Sequence, residues 1–287
     1  MSLPDLPNWL HTGQALHRAC EIIAPVHHLL LETQPNFLHL PLHVGPHGIA
    51  SRRLPGGSLI RVDFRQGAML IDSGGQSTGL PLADHSQRSL LEAMLRALQE
   101  TELPGLADEA EAGAEGALTA AMKRRLTASG KPEFSRATAL DDETPLAHDP
   151  FVAADYADVL YAAFTGIARF RARLSGHMSP MVVWPEHFDL STLWFRAPEM
   201  DERGPHLNFG FAPFSPGFDR PYLYAYAYPY PPGVALPAVP EPAFWHTASW
   251  KGVAVSYDDF PRNQDLALFV EGMCTQLFEA LRPLLGG

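Results

Sequence analysis

The chain has 287 residues, enough for one large domain or two small ones, and a chain of that size buries roughly 75% of its unfolded surface. Apolar residues make up 46% and charged residues 18%, so a sizeable core is expected and extended disorder is not. The formal charge of −11 argues against nucleic acid as a partner, because that affinity comes mainly from Lys and Arg on phosphates, and equally against anionic membrane surfaces.

From Trp9 to Leu31, Leu16, Ile22, Ile23, Val26, Leu29 and Leu30 recur at helical spacing, with Pro25 expected to kink or break the helix. Strands are predicted at Phe37–Val44, Ser58–Phe64 and Ala68–Asp72, with turns at Gly56-Gly57 and Gln66-Gly67 and a short run at Gly79–Leu82. Leu90, Leu91, Met94, Leu95 and Leu98 give an amphipathic helix for which Asp84 or Ser86 is the N-cap.

Residues 104–150 differ in kind. They begin acidic and rich in Ala and Gly, permit a helix near Ala117–Leu126, and read as a partly helical linker draped on the surface. The pattern then restarts, with a helix on Val159, Leu160, Phe164, Ile167, Phe170 and Leu174. Strands follow at Met181–Trp184, His187–Phe195, His206–Ala212, Tyr222–Tyr228 and Gly252–Ser256, and a last helix runs from Asn263 to Leu285.

Both halves thus read helix, antiparallel strands, helix. Gly79–Asp84 before Leu91-Glu-Ala-Met94 resembles Val253–Asp258 before Val270-Glu-Gly-Met273, the mark of an internal duplication. The expected fold is α+β, two pseudo-repeated helix–antiparallel sheet–helix units in one integrated protein: a first half over 1–103, the linker over 104–150 and a second half over 151–287.

The two cysteines, Cys20 and Cys274, lie in apolar helical stretches without metal-type spacing, which fits a reducing compartment. No apolar run approaches the roughly 18 residues of a membrane span, and the start lacks the regions of a signal peptide. The expected location is the cytoplasm, with no membrane partner.

Trp184-Pro-Glu-His-Phe-Asp-Leu190, Leu193-Trp-Phe195, Leu207-Asn-Phe-Gly-Phe211 and Pro221-Tyr-Leu-Tyr-Ala-Tyr-Ala-Tyr-Pro229 resemble an uncharacterised bacterial family, domain of unknown function 5996. The likeness extends to His39–Gly48 in the first half and to the last helix. It implies one integrated protein and brings no activity.

Three patterns can carry chemistry. His187-Phe-Asp189, read as strand, puts imidazole and carboxylate on one face, where His187 is a candidate general acid or base and Asp189 its orienting partner. With His206 or His246 the pair has the form of a facial triad for iron; the alternative is a His–Asp hydrogen bond stapling two strands.

The alternating Tyr222, Tyr224, Tyr226, Tyr228 and Tyr230 share one face, with Leu223, Ala225 and Ala227 on the other: a ligand wall, a subunit contact, or a cover for the sheet. His206 and Asn208 share the polar side of the third pattern and are expected to cluster with His187 and Asp189. Gly210 on that side leaves room for a ligand or marks a bulge.

Elsewhere, His39 and His43 are expected on an exposed strand edge beside Pro41 and His27 and His28 in solvent; His17 and Cys20, at i,i+3 on a helix, have the spacing to bind a metal, but a buried cysteine with a partly exposed histidine is the expected arrangement. No phosphate-binding glycine loop, Gly-x-Ser-x-Gly elbow or His-Glu-x-x-His occurs.

The expected function is binding or conversion of a small molecule at Trp184, His187, Asp189, His206, Asn208, Tyr222, Tyr224 and Tyr226. No cofactor is legible and no metal ligand is assigned. The alternatives are a non-catalytic interaction protein, homodimeric through its aromatic face, and a metal-dependent oxygenase-like enzyme.

Overall fold

The computed structural model describes residues 3–99, 117–128 and 140–286. Helices and two antiparallel sheets make it an α+β protein. The chain divides into two compact units, one of His11–Ala157 and the other of Met1–Leu10 with Asp158–Gly287.

In the His11–Ala157 unit, Pro25 cannot donate to the Glu21 carbonyl and its ring crowds that oxygen. The predicted single helix therefore breaks one turn before the proline, into α1 (Trp9–Glu21) and α2 (Ile23–Leu30). A meander follows, β1 (His43–Gly45), β2 (Gly48–Ala50), β3 (Leu59–Asp63), β4 (Ala68–Ser73) and β5 (Gln76–Pro81), each strand pairing with the next.

Only the end of the predicted strand at 37–44 is extended. Pro35–Phe37 forms a 3-10 turn with Asn36 and Phe37 at positive φ. His39 consequently sits in a turn and is buried, as are His27 and His28, against the expectation of solvent.

The helix α3 (Gln87–Gln99) starts on a reciprocal cap, because Ser89 N–H donates to Ser86 Oγ at 3.2 Å and Ser86 N–H to Ser89 Oγ at 2.9 Å. Next comes α4 (Ala117–Ala128), which buries Leu118, Ala121, Met122 and Leu126. Glu92 of α3 holds it by accepting from the Thr119 backbone N–H at 3.0 Å and hydroxyl at 2.8 Å. This part of the expected linker is core, as are Leu140 and Leu146; residues 104–116 and 129–139 lie outside the described residues.

In the other unit, the first residues are tied in by main-chain acceptors. Tyr257 O–H donates to the Pro4 carbonyl at 2.9 Å, Arg220 to Leu6 at 3.2 Å, and the Trp9 indole N–H donates to Pro213 at 2.7 Å. For that reason the N-terminal segment joins residues 158–287, whereas the sequence reading assigned it to the first half.

Here α5 (Pro150–Arg171), capped by Asp149, leads into β6 (His177–Met178), β7 (Val182–Trp184), β8 (Asp189–Phe195), β9 (His206–Ala212), β10 (Tyr222–Tyr228), β11 (Phe244–His246) and β12 (Gly252–Ser256). The last helix, α6 (Leu266–Leu281), is capped by Asp265. Strand order is β11-β12-β10-β9-β8-β6, with β7 also pairing β8.

Phe209 and Phe211 turn to the helical side of this sheet. Phe170 of α5 lies 4.8 Å from Phe209 between ring centroids, and Phe278 of α6 packs on Phe209 and Trp194. Gly166 permits the close helix contact: a Cβ there would stand 2.6 Å from the Ala267 carbonyl oxygen and 2.7 Å from Val270 Cβ.

The two units share an order of elements. A strand, a 3-10 turn and a helix follow one another in each, β5 to α3 in the one and β12 to α6 in the other, and β7-β8-β9-β10-β12 pair sequentially as β1 to β5 do, although α4 follows α3 within the first unit. The second sheet adds β11 outside β12 and β6 beside β8, so β5 is an edge strand whereas β12 is interior.

Among the described residues, α5 is long and apolar enough by length and composition to cross a membrane, contrary to the reading of the apolar runs. Half of its most apolar window is buried in the protein, as a core helix requires.

Candidate functional site

The register of the second sheet decides which polar side chains meet. Tyr222, Tyr224, Tyr226 and Tyr228 pair with Ala212, Gly210, Asn208 and His206, and Gly210 and Asn208 pair with Ser191 and Leu193 of β8. All of these, with Asp189 and Trp184 at the start of the β7–β8 pair, share the face opposite the helices. Glycine at 210 is explained by the ring of Tyr224, not by a bulge. A Cβ there would stand 2.3 Å from Tyr224 Cζ and 2.5 Å from the Leu190 carbonyl oxygen.

Tyr224 thus lies across β9 and donates its hydroxyl to Asp189 Oδ2. Burial of the carboxyl raises the pKa of Asp189, against the opposing pull of the Tyr224 hydrogen bond and the nearby His187. Burial, then the Asp189 charge, pushes the Tyr224 phenol well above its ordinary value.

One position along, Asn208 Nδ2 donates to the Tyr226 hydroxyl at 2.8 Å. The Tyr226 ring runs nearly parallel to Tyr224, at 6.1 Å and 11°.

A second ring covers a second glycine. The Trp250 indole lies over Gly252, where a Cβ would stand 2.4 Å from its ring and 2.8 Å from Tyr226 Cβ. It packs within 6.5 Å of Tyr222, Tyr224 and Tyr226. Phe218 stacks on Tyr222 at 4.1 Å, turned back by the tight Ser215-Pro-Gly-Phe218 turn with Gly217 at positive φ. Tyr222 donates its hydroxyl to Ser215 at 2.8 Å.

Two acceptors of this face meet no donor among the described residues: Asp189 Oδ1 and Asn208 Oδ1 are both buried and without a hydrogen-bond partner there. Tyr222, Tyr224 and Asn208 are only 5, 6 and 7% exposed.

The expected cluster of His187, Asp189, His206 and Asn208 does not assemble. Phe188 is driven into the core at positive φ, with its N–H bonded to the Trp184 carbonyl at 2.7 Å, so β8 starts at Asp189 and His187 is left exposed in the turn. His206 pairs with Phe195, six residues along β8 from Asp189, which is roughly 20 Å of strand. It donates from Nδ1 to the Gly204 carbonyl at 2.9 Å and stacks on Tyr228; burial lowers its pKa.

Trp184 donates from its indole to Ser191 Oγ at 3.1 Å. Among the described residues, no three His, Cys, Asp or Glu side chains converge as metal ligands. Sequence reasoning missed Ser191, Phe218 and Trp250. The signal for Trp250 was a glycine on the tyrosine face of a strand, which marks close approach of a bulky neighbour.

A family of unknown function (DUF5996) matches residues 117–281, more than half of the chain and all of this face, and the chain belongs to that family. The match takes in α4, within the segment read as a linker. Residues 1–116, and with them the resemblance read at His39–Gly48, lie outside it. No curated protein and no solved structure matches the chain.

Proposed function

We propose that the protein binds a small molecule on the tyrosine face of its second sheet, with Asp189 and Asn208 as polar anchors and Tyr222, Tyr224, Tyr226 and Trp250 as aromatic walls. The observation that carries this reading is the pair of buried, unmet acceptors, Asp189 Oδ1 and Asn208 Oδ1. Leaving a buried polar atom unmet costs about 1–3 kcal/mol, and a ligand that supplies the donor recovers it.

Binding is favoured over acid–base catalysis by a His–Asp pair, because His187 is exposed and the Asp189 carboxylate is engaged by Tyr224. It is favoured over self-association because Tyr222 and Tyr224 are buried within the unit and Tyr226 and Tyr230 half-buried, which leaves Tyr228, at 46%, as the exposed ring of the stripe. The cytoplasm remains our proposed location, supported by two cysteines that are buried and unpaired.

The test is a thermal-shift screen against a chemically broad set of small molecules. A hit should raise the melting temperature of wild type and lose its effect in Asn208→Ala, which melts close to wild type. If wild type responds to nothing and Asn208→Ala unfolds early, the face is a structural staple and the reading falls.

A further inference from the structure

We infer that the ligand of this face is an elongated organic cation, an ammonium or guanidinium held at Asp189 with a second N–H or O–H donor reaching Asn208. The inference rests on the binding reading above and names its ligand class. Three observations carry it.

The unmet atoms are both acceptors, so they ask for donors. Of the two, Asp189 carries a carboxylate, and no Lys or Arg pairs with it among the described residues. A buried carboxylate without a cationic partner is electrostatically incomplete, and an incoming cation completes it.

Two further carboxylates stand near the face, Glu186 bearing on Asp189 and Glu202 on Tyr226, with His187 the one basic group that bears on Asp189. Rings complete the picture, since the negative π faces of Tyr and Trp attract cations, as Tyr230 does the Lys251 ammonium at 3.4 Å elsewhere in this unit.

The length follows from the register. Asn208 pairs with Leu193, four residues along β8 from Asp189, which is roughly 13 Å of backbone. A compact cation can satisfy one acceptor only. A chain with a donor at each end can reach toward both, and lies along Tyr224 and Tyr226 between them. A quaternary ammonium, which has no N–H, leaves both oxygens unmet.

The experiment is calorimetric titration of the full chain with diaminobutane, agmatine, tetramethylammonium and butanediol at constant ionic strength. Diaminobutane or agmatine should bind, with tetramethylammonium and butanediol at least tenfold weaker. Asp189→Asn, which keeps the shape and can accept from Tyr224, should weaken the cations about tenfold or more, the loss of one charge-assisted hydrogen bond.

Should that variant fail to fold, wild type supplies the readout: cation affinity must rise with pH as Asp189 ionises. Butanediol binding as tightly as the diamines, with no change in Asp189→Asn, overturns the cation while leaving the binding site standing. No binding by any of the four, together with no hit in the broad screen, sinks both.

Discussion

His27 and Asp189 are both ionisable groups taken out of water, one in each unit, and they differ in how completely their hydrogen bonds are met. His27 donates from Nδ1 to the Leu40 carbonyl at 2.8 Å and accepts at Nε2 from the Arg52 N–H at 3.2 Å, which uses both ring nitrogens and fixes one neutral tautomer. Burial lowers its pKa from 6.5 to about 4, against the opposing pull of the Leu40 bond. Asp189 has one oxygen on Tyr224 and the other without a partner among the described residues. A fully met buried group specifies a fold, whereas a half-met one is where a fold has kept capacity in reserve.

The largest effect expected from this contrast is at His27. Its folded imidazole resists a proton that the unfolded chain takes up near 6.5, so stability present above that pH is lost as pH falls towards 4, by about 3 kcal/mol in all. Urea denaturation across this window should show the slope, and His27→Gln should flatten it. An unchanged slope in the variant would place the acid sensitivity elsewhere.

Next is Gly210→Ala, which drives a methyl into the Tyr224 ring and a backbone oxygen that cannot withdraw. A loss of about 2–3 kcal/mol is expected, and a variant as stable as wild type would mean that the ring does not lie over the strand. Tyr224→Phe removes the side-chain donor on Asp189 Oδ2 and should cost about 2 kcal/mol at neutral pH. Little or no loss would show that the hydroxyl does not hold the carboxylate.

Smallest, and opposite in sign, is Asp189→Asn. The folded carboxyl is raised above its ordinary 3.8, so its favourable contribution is present below that value and disappears as pH rises through the folded pKa. The variant should therefore match wild type in acid and be the more stable protein at neutral pH. A variant less stable at neutral pH would mean that the charged form of Asp189 is needed by the fold, and the contrast with His27 would fail.

Much of this was legible in the sequence where one period governs a whole element. The alternation in β9 and β10 gave both strands with their observed ends and put the tyrosines on one face, because a period of two admits one assignment. What was not legible was register. Antiparallel pairing of β8 and β9 around the 196–205 connection sets Phe195 opposite His206 and leaves Asp189 six residues away, while burial of Phe188 keeps His187 in the turn and breaks up the apparent His-x-Asp pair.

The same holds for His27, whose partners Leu40 and Arg52 come from distant turns, and for α4, whose apolar residues look sparse until Glu92 is seen holding its first turn. Chemical type was readable residue by residue. Company was not.

The two rings that lie over glycines tie pairs of positions together in descent. Position 210 is free to gain a side chain only in a lineage that has first given up the ring at 224, and position 252 only where the ring at 250 has gone. Among family members, then, a side chain should stand at either glycine only where its ring is already gone, whereas a ring can be lost with its glycine kept, because the Leu190 and Ala225 carbonyl oxygens still crowd the two sites. A relative with a bulky residue at the first site and tyrosine still at the second would have to carry its strands differently.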